Sequence, residues 1–114
     1  MRRGEVYDAR LDPSEGSEQA GTRPVVIVSR DAINTNLGIV IVIPCTPYRP
    51  TTRMHPGRIL LHAPDGGLAV DSVALCEQVR TITKTRLLSR LGALSPQSLA
   101  QIERGLVITL DLPG

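Results

Sequence analysis

Aromatic residues are almost missing: among 114 residues there is no Phe, no Trp, and only Tyr7 and Tyr48. A core without rings must be filled by Val, Ile and Leu, a composition that favours sheet. A surface without them cannot bind bases by stacking them on aromatic platforms, so charged contacts would have to serve. Cysteine is equally scarce. Cys45 and Cys76 each lie inside an apolar stretch, IVIPC and VALC, and read as buried thiols, not as a disulfide framework. His55 and His62 are the only histidines, and neither they nor the cysteines make a metal-ligand spacing of known type. A glycine-rich phosphate loop and a nucleophile elbow are also absent. No metal and no cofactor is expected. No apolar run approaches the roughly 18 residues of a spanning helix, and the opening MRRGEVYDAR lacks the apolar core of a secretion signal. The expectation is a soluble, cytoplasmic protein with no membrane contact.

What is present supports one folded unit over residues 1–114. Hydrophobic residues make up 41% and charged residues 21%, with a net charge of +2. A chain of this length can bury close to two-thirds of its unfolded surface, enough for one core. A first strand is expected from Glu5 to Leu11, followed by a polar, turn-rich loop from Asp12 to Thr22. Arg23 and Pro24 lead into VVIVS, a second strand, and Arg30 to Asn36 supplies breakers and one helical turn. Gly38 to Cys45, GIVIVIPC, carries five consecutive β-branched residues and no charge, so it should be a central strand. Thr46 to Gly57 holds three prolines and a glycine and reads as a second long loop. A short strand at Arg58 to His62, a turn at Pro64 to Gly67 and one or two strands within Val70 to Thr83 continue the sheet.

Ser95 followed by Pro96 marks a helix start. Leu99, Ile102 and Leu106 then form an apolar stripe, although Gly105 and the run VIT weaken its far end. The fold expected is mainly β, with five to seven short, mostly antiparallel strands in a closed or half-closed barrel and a C-terminal helix over one face.

Charge is uneven. From Arg23 through His62 there are five arginines against one acid, Asp31, and from Glu77 through Arg90 four bases against one acid. Such stretches either form a face that attracts phosphates or are ordinary solvated surface; counting does not separate the two.

The segment GSEQAGTRP at Gly16 to Pro24, followed by VVIVS and then PCTP at Pro44 to Pro47, resembles the MazF/PemK toxin family. So do RGEVY near the start, DSVALCEQVRTITKTRL at Asp71 to Leu87, LGAL at Leu91 to Leu94, and a helix ending in L-x-L. The resemblance spans nearly the full chain. It implies a small SH3-like barrel of the kind shared with the gyrase poison CcdB. It also implies the toxin of a type II toxin–antitoxin pair: a homodimeric, metal-independent endoribonuclease cutting single-stranded RNA at a short sequence. The products would be 2′,3′-cyclic phosphate and 5′-hydroxyl ends. The implied partner is an antitoxin with a disordered acidic tail.

By motif match the catalytic residues are Arg23, in GTRP, and Thr46, in PCTP. A planar guanidinium can hold two non-bridging oxygens of a phosphate as charge builds on them, and a threonine hydroxyl can donate one further hydrogen bond. Without the resemblance, Arg23 reads as an arginine paired with a nearby acid and Thr46 as a strand-end hydroxyl bonded to its own backbone. The proton acceptor is open, with His55 one candidate by its titration range. Ser17, Glu18, Gln19, Glu77 and Gln78 offer donors and acceptors to exposed base edges. Arg53, Arg80 and Arg86, with Arg58, either hold RNA phosphates or pair with acids. The arginine-rich loop YRPTTRMHPG lies where the family varies. Two rival readings are a CcdB-like binder of DNA gyrase, disfavoured by the non-aromatic ending Leu112-Pro113-Gly114, and a member that binds RNA without cutting it.

Overall fold

The computed structural model describes all residues from Met1 to Gly114. Seven strands form: β1 Glu5–Arg10, β2 Thr22–Ile27, β3 Ile39–Pro47, β4 Arg58–Leu61, β5 Ser72–Leu75, β6 Arg80–Thr83 and β7 Leu87–Ala93. Two α-helices, α1 Asp31–Asn36 and α2 Pro96–Leu110, join them, with single 3-10 turns at Asp65–Gly67, Cys76–Gln78 and Lys84–Arg86. Every strand pairing is antiparallel. The strands run β4-β5-β3-β2-β1-β7, with β6 also on β3, and the sheet does not close on itself. The result is the mainly β, half-open barrel with a C-terminal helix that the strand pattern leads one to expect.

The β-branched run of β3 makes it the hub. It pairs with β6 from Ile39 to Val42, with β2 from Val42 to Pro44, and with β5 from Cys45 to Pro47. Because neighbouring side chains on a strand point to opposite faces, β3 feeds two cores. Ile43 and Cys45 join Val6, Val26, Leu61 and Ile102 beneath α2. Val40 and Val42 join Ala9, Leu11, Val25, Ile27 and Ile82 on the opposite face. Strand limits differ from the expectation by a residue or two, and two of these differences bear on the site. β2 begins at Thr22 and so includes Arg23 and Pro24, which pair with β1; β3 continues through Thr46 and Pro47 because β5 supplies a partner there. Both candidate catalytic residues are therefore held in strands, not in loops.

α2 starts where Ser95 and Pro96 place it, the Ser95 hydroxyl accepting from the Ser98 amide at 3.2 Å. The Asp65 carboxylate reinforces this cap: it accepts from the Ser95 amide at 2.8 Å, the Ser95 hydroxyl at 3.0 Å and the Ser98 hydroxyl at 2.5 Å. The helix runs on to Leu110, through Gly105 and the VIT run expected to weaken its far end. Gly105 lies against the Cys76 sulfur and Ile59 with no room for a β-carbon, so its small size permits the packing that holds the helix down. Asp111, in the left-handed region at φ 55°, ends it. No helix is long and apolar enough to cross a membrane.

Candidate active site

The ladder between β2 and β3 ends at Val25 opposite Pro44. Beyond that level β3 turns to pair with β5, and Pro24 has no N–H with which to extend the ladder, so the two strands part. Arg23 and Thr46 stand at this opening. The register of that ladder, counted on by two residues past its end, would set Arg23 against Thr46 and assigns both to the face of Val25 and Val42, since partners across an antiparallel ladder share a face.

Arg23 is half-buried. Its Nε donates to the Ala20 carbonyl at 3.2 Å, and the guanidinium enters no ion pair, which leaves its two terminal amino groups without a protein partner. The half-buried Thr46 hydroxyl makes no hydrogen bond within the protein. Neither side chain is thus spent in the way a structural role would spend it: no acid holds the arginine, and no backbone group holds the hydroxyl.

Most of the candidate base-reading residues gather elsewhere. Ser17, Glu18, Glu77, Gln78 and Arg80, together with Arg58 and Val79, line a cleft of about 540 Å³ between the β1–β2 loop and the turn after β5. Gln78 fixes the loop to this turn. Its Oε1 accepts from the Gln19 amide at 2.8 Å, and its Nε2 donates to the Ser17 carbonyl at 3.1 Å. The Gln19 side-chain oxygen is buried with no partner. Arg80 approaches Glu18 at 3.8 Å.

Glu77 is taken by Arg58, whose Nε and Nη2 both donate to its Oε2, at 2.9 and 2.7 Å. The Nη1 of Arg58 donates to the Arg53 carbonyl at 2.8 Å, and His55 Nε2 lies 3.9 Å from the other Glu77 oxygen. The choice left open for Arg58, phosphate or acid, falls to the acid. His55 Nδ1 accepts from the Gly57 amide at 3.1 Å, so this loop is tied at three points, and the Arg53 side chain extends from it exposed. Arg86 lies apart, its Nη1 donating to the Arg10 carbonyl at 3.0 Å and to the Asp12 carbonyl, where it closes the base of the β1–β2 loop.

A second cleft, of about 320 Å³, opens beside Arg23 between Pro24 and Pro47. Asp8, Thr22 and Ser72 line it too. Sequence reasoning passed over all three, because only the β1–β2 register, Asp8 opposite Pro24, brings the first of them to the opening. The two cysteines are inert by position. Burial pushes the Cys45 thiol up to about 12, with Cys76 nearby adding to the effect. Burial, with the charge of Glu77, pushes Cys76 up to about 11.

A half-open antiparallel barrel with a capping helix, a long pinned first loop and an arginine free to take an anion where two strands part make this a small barrel equipped to hold an anionic ligand. Residues 2–110 match the family described as PemK-like, MazF-like toxin of type II toxin-antitoxin system, and the chain belongs to that family. It is 40% identical over 117 aligned residues to the endoribonuclease MazF9 of Mycobacterium tuberculosis, covering 98% of each chain. Among solved structures it is similar to an endoribonuclease in complex with its cognate antitoxin from Mycobacterial species. That match has a TM-score of 0.83 and 26% identity, over 100% of this chain and 98% of the other. It is similar also to MazF from Deinococcus radiodurans, with a TM-score of 0.83 and 25% identity over 97% and 96% of the two chains.

Proposed function

We propose that this chain is the endoribonuclease toxin of a type II toxin–antitoxin pair, cutting single-stranded RNA by attack of a ribose 2′-hydroxyl on its own phosphate. The 2′-oxygen forms a bond to phosphorus as the bond to the 5′-oxygen breaks. The 2′-proton is lost, the departing 5′-oxygen gains one, and the ends are a 2′,3′-cyclic phosphate and a 5′-hydroxyl. Charge gathers on the non-bridging oxygens as this happens. Arg23 would take two of them with its free terminal amino groups, and Thr46 would donate its unused hydroxyl to the same phosphate. The observation that carries this reading is the pair of uncommitted groups, an unpaired guanidinium and an unbonded hydroxyl, on the strands that flank the opening where β2 and β3 part. Both are carried by strands fixed in the sheet, which suits a reaction that gains mainly from holding the phosphate in line for attack.

The cleft between the β1–β2 loop and the turn after β5 would receive bases, with Ser17, Glu18 and Gln78 at its rim; Glu77 serves there through Arg58, as the anchor of the β3–β4 loop. His55, with its Nε2 3.9 Å from Glu77, would belong to that anchor. Exposed Arg53 would meet the RNA backbone. Action in the cytoplasm, as a homodimer restrained by an antitoxin with an acidic tail, completes the proposal. It is supported by the family and by the relative solved with its cognate antitoxin.

The test is direct. The purified chain, incubated in EDTA with a long single-stranded transcript, should cut at a recurring short sequence and leave cyclic-phosphate ends, while Arg23→Ala and Thr46→Ala leave the transcript whole. Cutting by a folded Arg23→Ala protein would remove the site assignment. Binding without cutting by the unaltered chain would favour the RNA-binding-only reading.

A further inference from the structure

The loop that carries Ser17, Glu18 and Gln19 is held by hydrogen bonds and not by packing. No residue from Asp12 to Gly21 is fully buried, and none belongs to either core. A segment with so little apolar contact keeps one shape only through its polar ties. At its end the Leu11 amide donates to the Gly21 carbonyl at 2.9 Å, which extends the β1–β2 ladder. Just before that point the Gln19 amide donates to Gln78 Oε1. Ala20 lies between these two ties, and its carbonyl is the acceptor for Arg23 Nε.

Gln78 is mounted firmly. Its turn is seated by the buried Cys76, whose amide donates to the Gly57 carbonyl at 3.1 Å, and by Val79, which packs on the core beneath α2. The Gln78 side-chain amide spends its oxygen on the Gln19 amide and donates from its nitrogen to the Ser17 carbonyl. Both ends of the side chain are thus committed to main chain before any RNA arrives.

We propose that Gln78 is a positioning residue for Arg23. By holding Ser17 and Gln19 to the turn after β5 it fixes the Ala20 carbonyl, and that carbonyl sets the plane of the Arg23 guanidinium. The guanidinium is rigid and planar, so a bond at Nε restricts the whole fork. Base reception and phosphate binding then belong to one loop: Ser17 and Glu18 line the cleft, and Ala20, two residues on from Glu18, orients the arginine. Released from Gln78, the loop would let the carbonyl swing, and the fork would meet the phosphate in many orientations of which few are productive.

The catalytic consequence rests on the reading of Arg23 as the phosphate ligand; the ordering of its side chain does not, and two measurements separate them. In the first, the Arg23 Nε–H is followed by proton–nitrogen NMR, its signal identified by its loss in Arg23→Lys. The heteronuclear NOE should be high in the wild type and lower in Gln78→Ala, while the Nε–H of Arg90, which donates to Glu5, stays unchanged as the internal reference. An equal Arg23 value in the two proteins overturns the proposal, whether or not the chain cuts RNA. In the second, an oligoribonucleotide spanning the mapped cut is cleaved, with enzyme in excess for the slow variants. Gln78→Ala should lower kcat by about tenfold or more with KM little changed. It should have no further effect in the Arg23→Lys background, where no Nε remains for Ala20 to hold. Losses that multiply across the two substitutions, or a rise in KM alone, would make Gln78 a direct RNA contact and reject the positioning role. A wild-type chain that cuts nothing removes the nuclease reading and leaves the NMR result to decide on Gln78.

Discussion

A guanidinium at position 23 matters for its shape as well as its charge. The Nε of Arg23 is committed to the Ala20 carbonyl, which leaves the two terminal nitrogens as a planar fork with no protein partner. Lysine would keep the charge, lose the fork, and give up the bond that orients the group. Arg23→Lys should therefore lower kcat by about 100-fold or more, the cost typical of removing one oxyanion donor, with little change in melting temperature; near-normal turnover in a gel-based cleavage assay would show that charge alone suffices. The two thiols make the opposite case, groups whose chemistry the fold suppresses. Cys45 and Cys76 have pKa values raised by burial to about 12 and about 11, so the folded state favours their neutral form. The stability this contributes is complete below the ordinary thiol pKa of about 8.5 and is lost as pH rises through that value toward 11. At pH 8 a thiol-specific disulfide reagent should label neither cysteine in the native protein and both in denaturant. Rapid labelling without denaturant would place at least one sulfur at the surface.

The link between Asp65 and the start of α2 joins an acid in a turn to a helix 30 residues later in the chain. Burial raises the Asp65 pKa, but hydrogen bonds from Ser98 and Ser95, with the Gly66 amide, outweigh it and hold the carboxyl below its usual range. A carboxylate at a helix N-terminus also meets the positive end of the helix dipole. This stability is present above the ordinary Asp pKa of about 3.9 and disappears as pH falls through the lowered native value. Asp65→Asn should cost about 1–2 kcal/mol at pH 7, and chemical denaturation repeated toward pH 2 should find the gap between variant and wild type closing; a constant gap would mean that the charge is not what stabilises the cap. The turn that carries Asp65 is itself fixed sterically, since Gly67 sits at φ 75° with the Leu91 carbonyl where a β-carbon would go. Some of this was legible beforehand. The uninterrupted β-branched run announced β3 as the hub, and Ser95-Pro96 announced the start of α2, because strand propensity and capping are local properties. Gly105 was misread for the converse reason: its use lies in contact with Cys76, 29 positions away, which no local pattern encodes. Arg23 and Thr46 could be singled out only as parts of motifs. That both fall on one face follows from the β2–β3 register, which hydrophobic alternation constrains but does not display. Arg58 with Glu77 and Asp8 beside Pro24 are likewise products of the chain's path.

Unlike the buried aliphatic cores, the last turn of α2 and the residues after it are not covered. Ile108, Leu110 and Leu112 are each about half exposed, at 52%, 51% and 49%, and Val107 beside them is partly so. Isolated apolar side chains are normal on a surface, but a helix end that leaves large aliphatics exposed on more than one side is the kind of surface that subunits bury. A second copy of the chain is the occupant that the proposed homodimer requires, and a two-fold interface would present the same patch from both sides. Sedimentation equilibrium should therefore give about twice the 12.3 kDa chain mass. The paired substitution Ile108→Glu with Leu110→Glu should shift the protein to the monomer while leaving its circular dichroism intact, because both side chains already face solvent and the core beneath α2 rests on Ile102. A monomeric variant that cuts RNA as fast as the wild type would show each active site to be complete within one chain. Loss of cutting, with Arg23 and Thr46 untouched, would show that the groove is assembled from two. A variant that stays dimeric would move the interface away from α2, leaving the exposed aliphatics at its end without the role assigned to them.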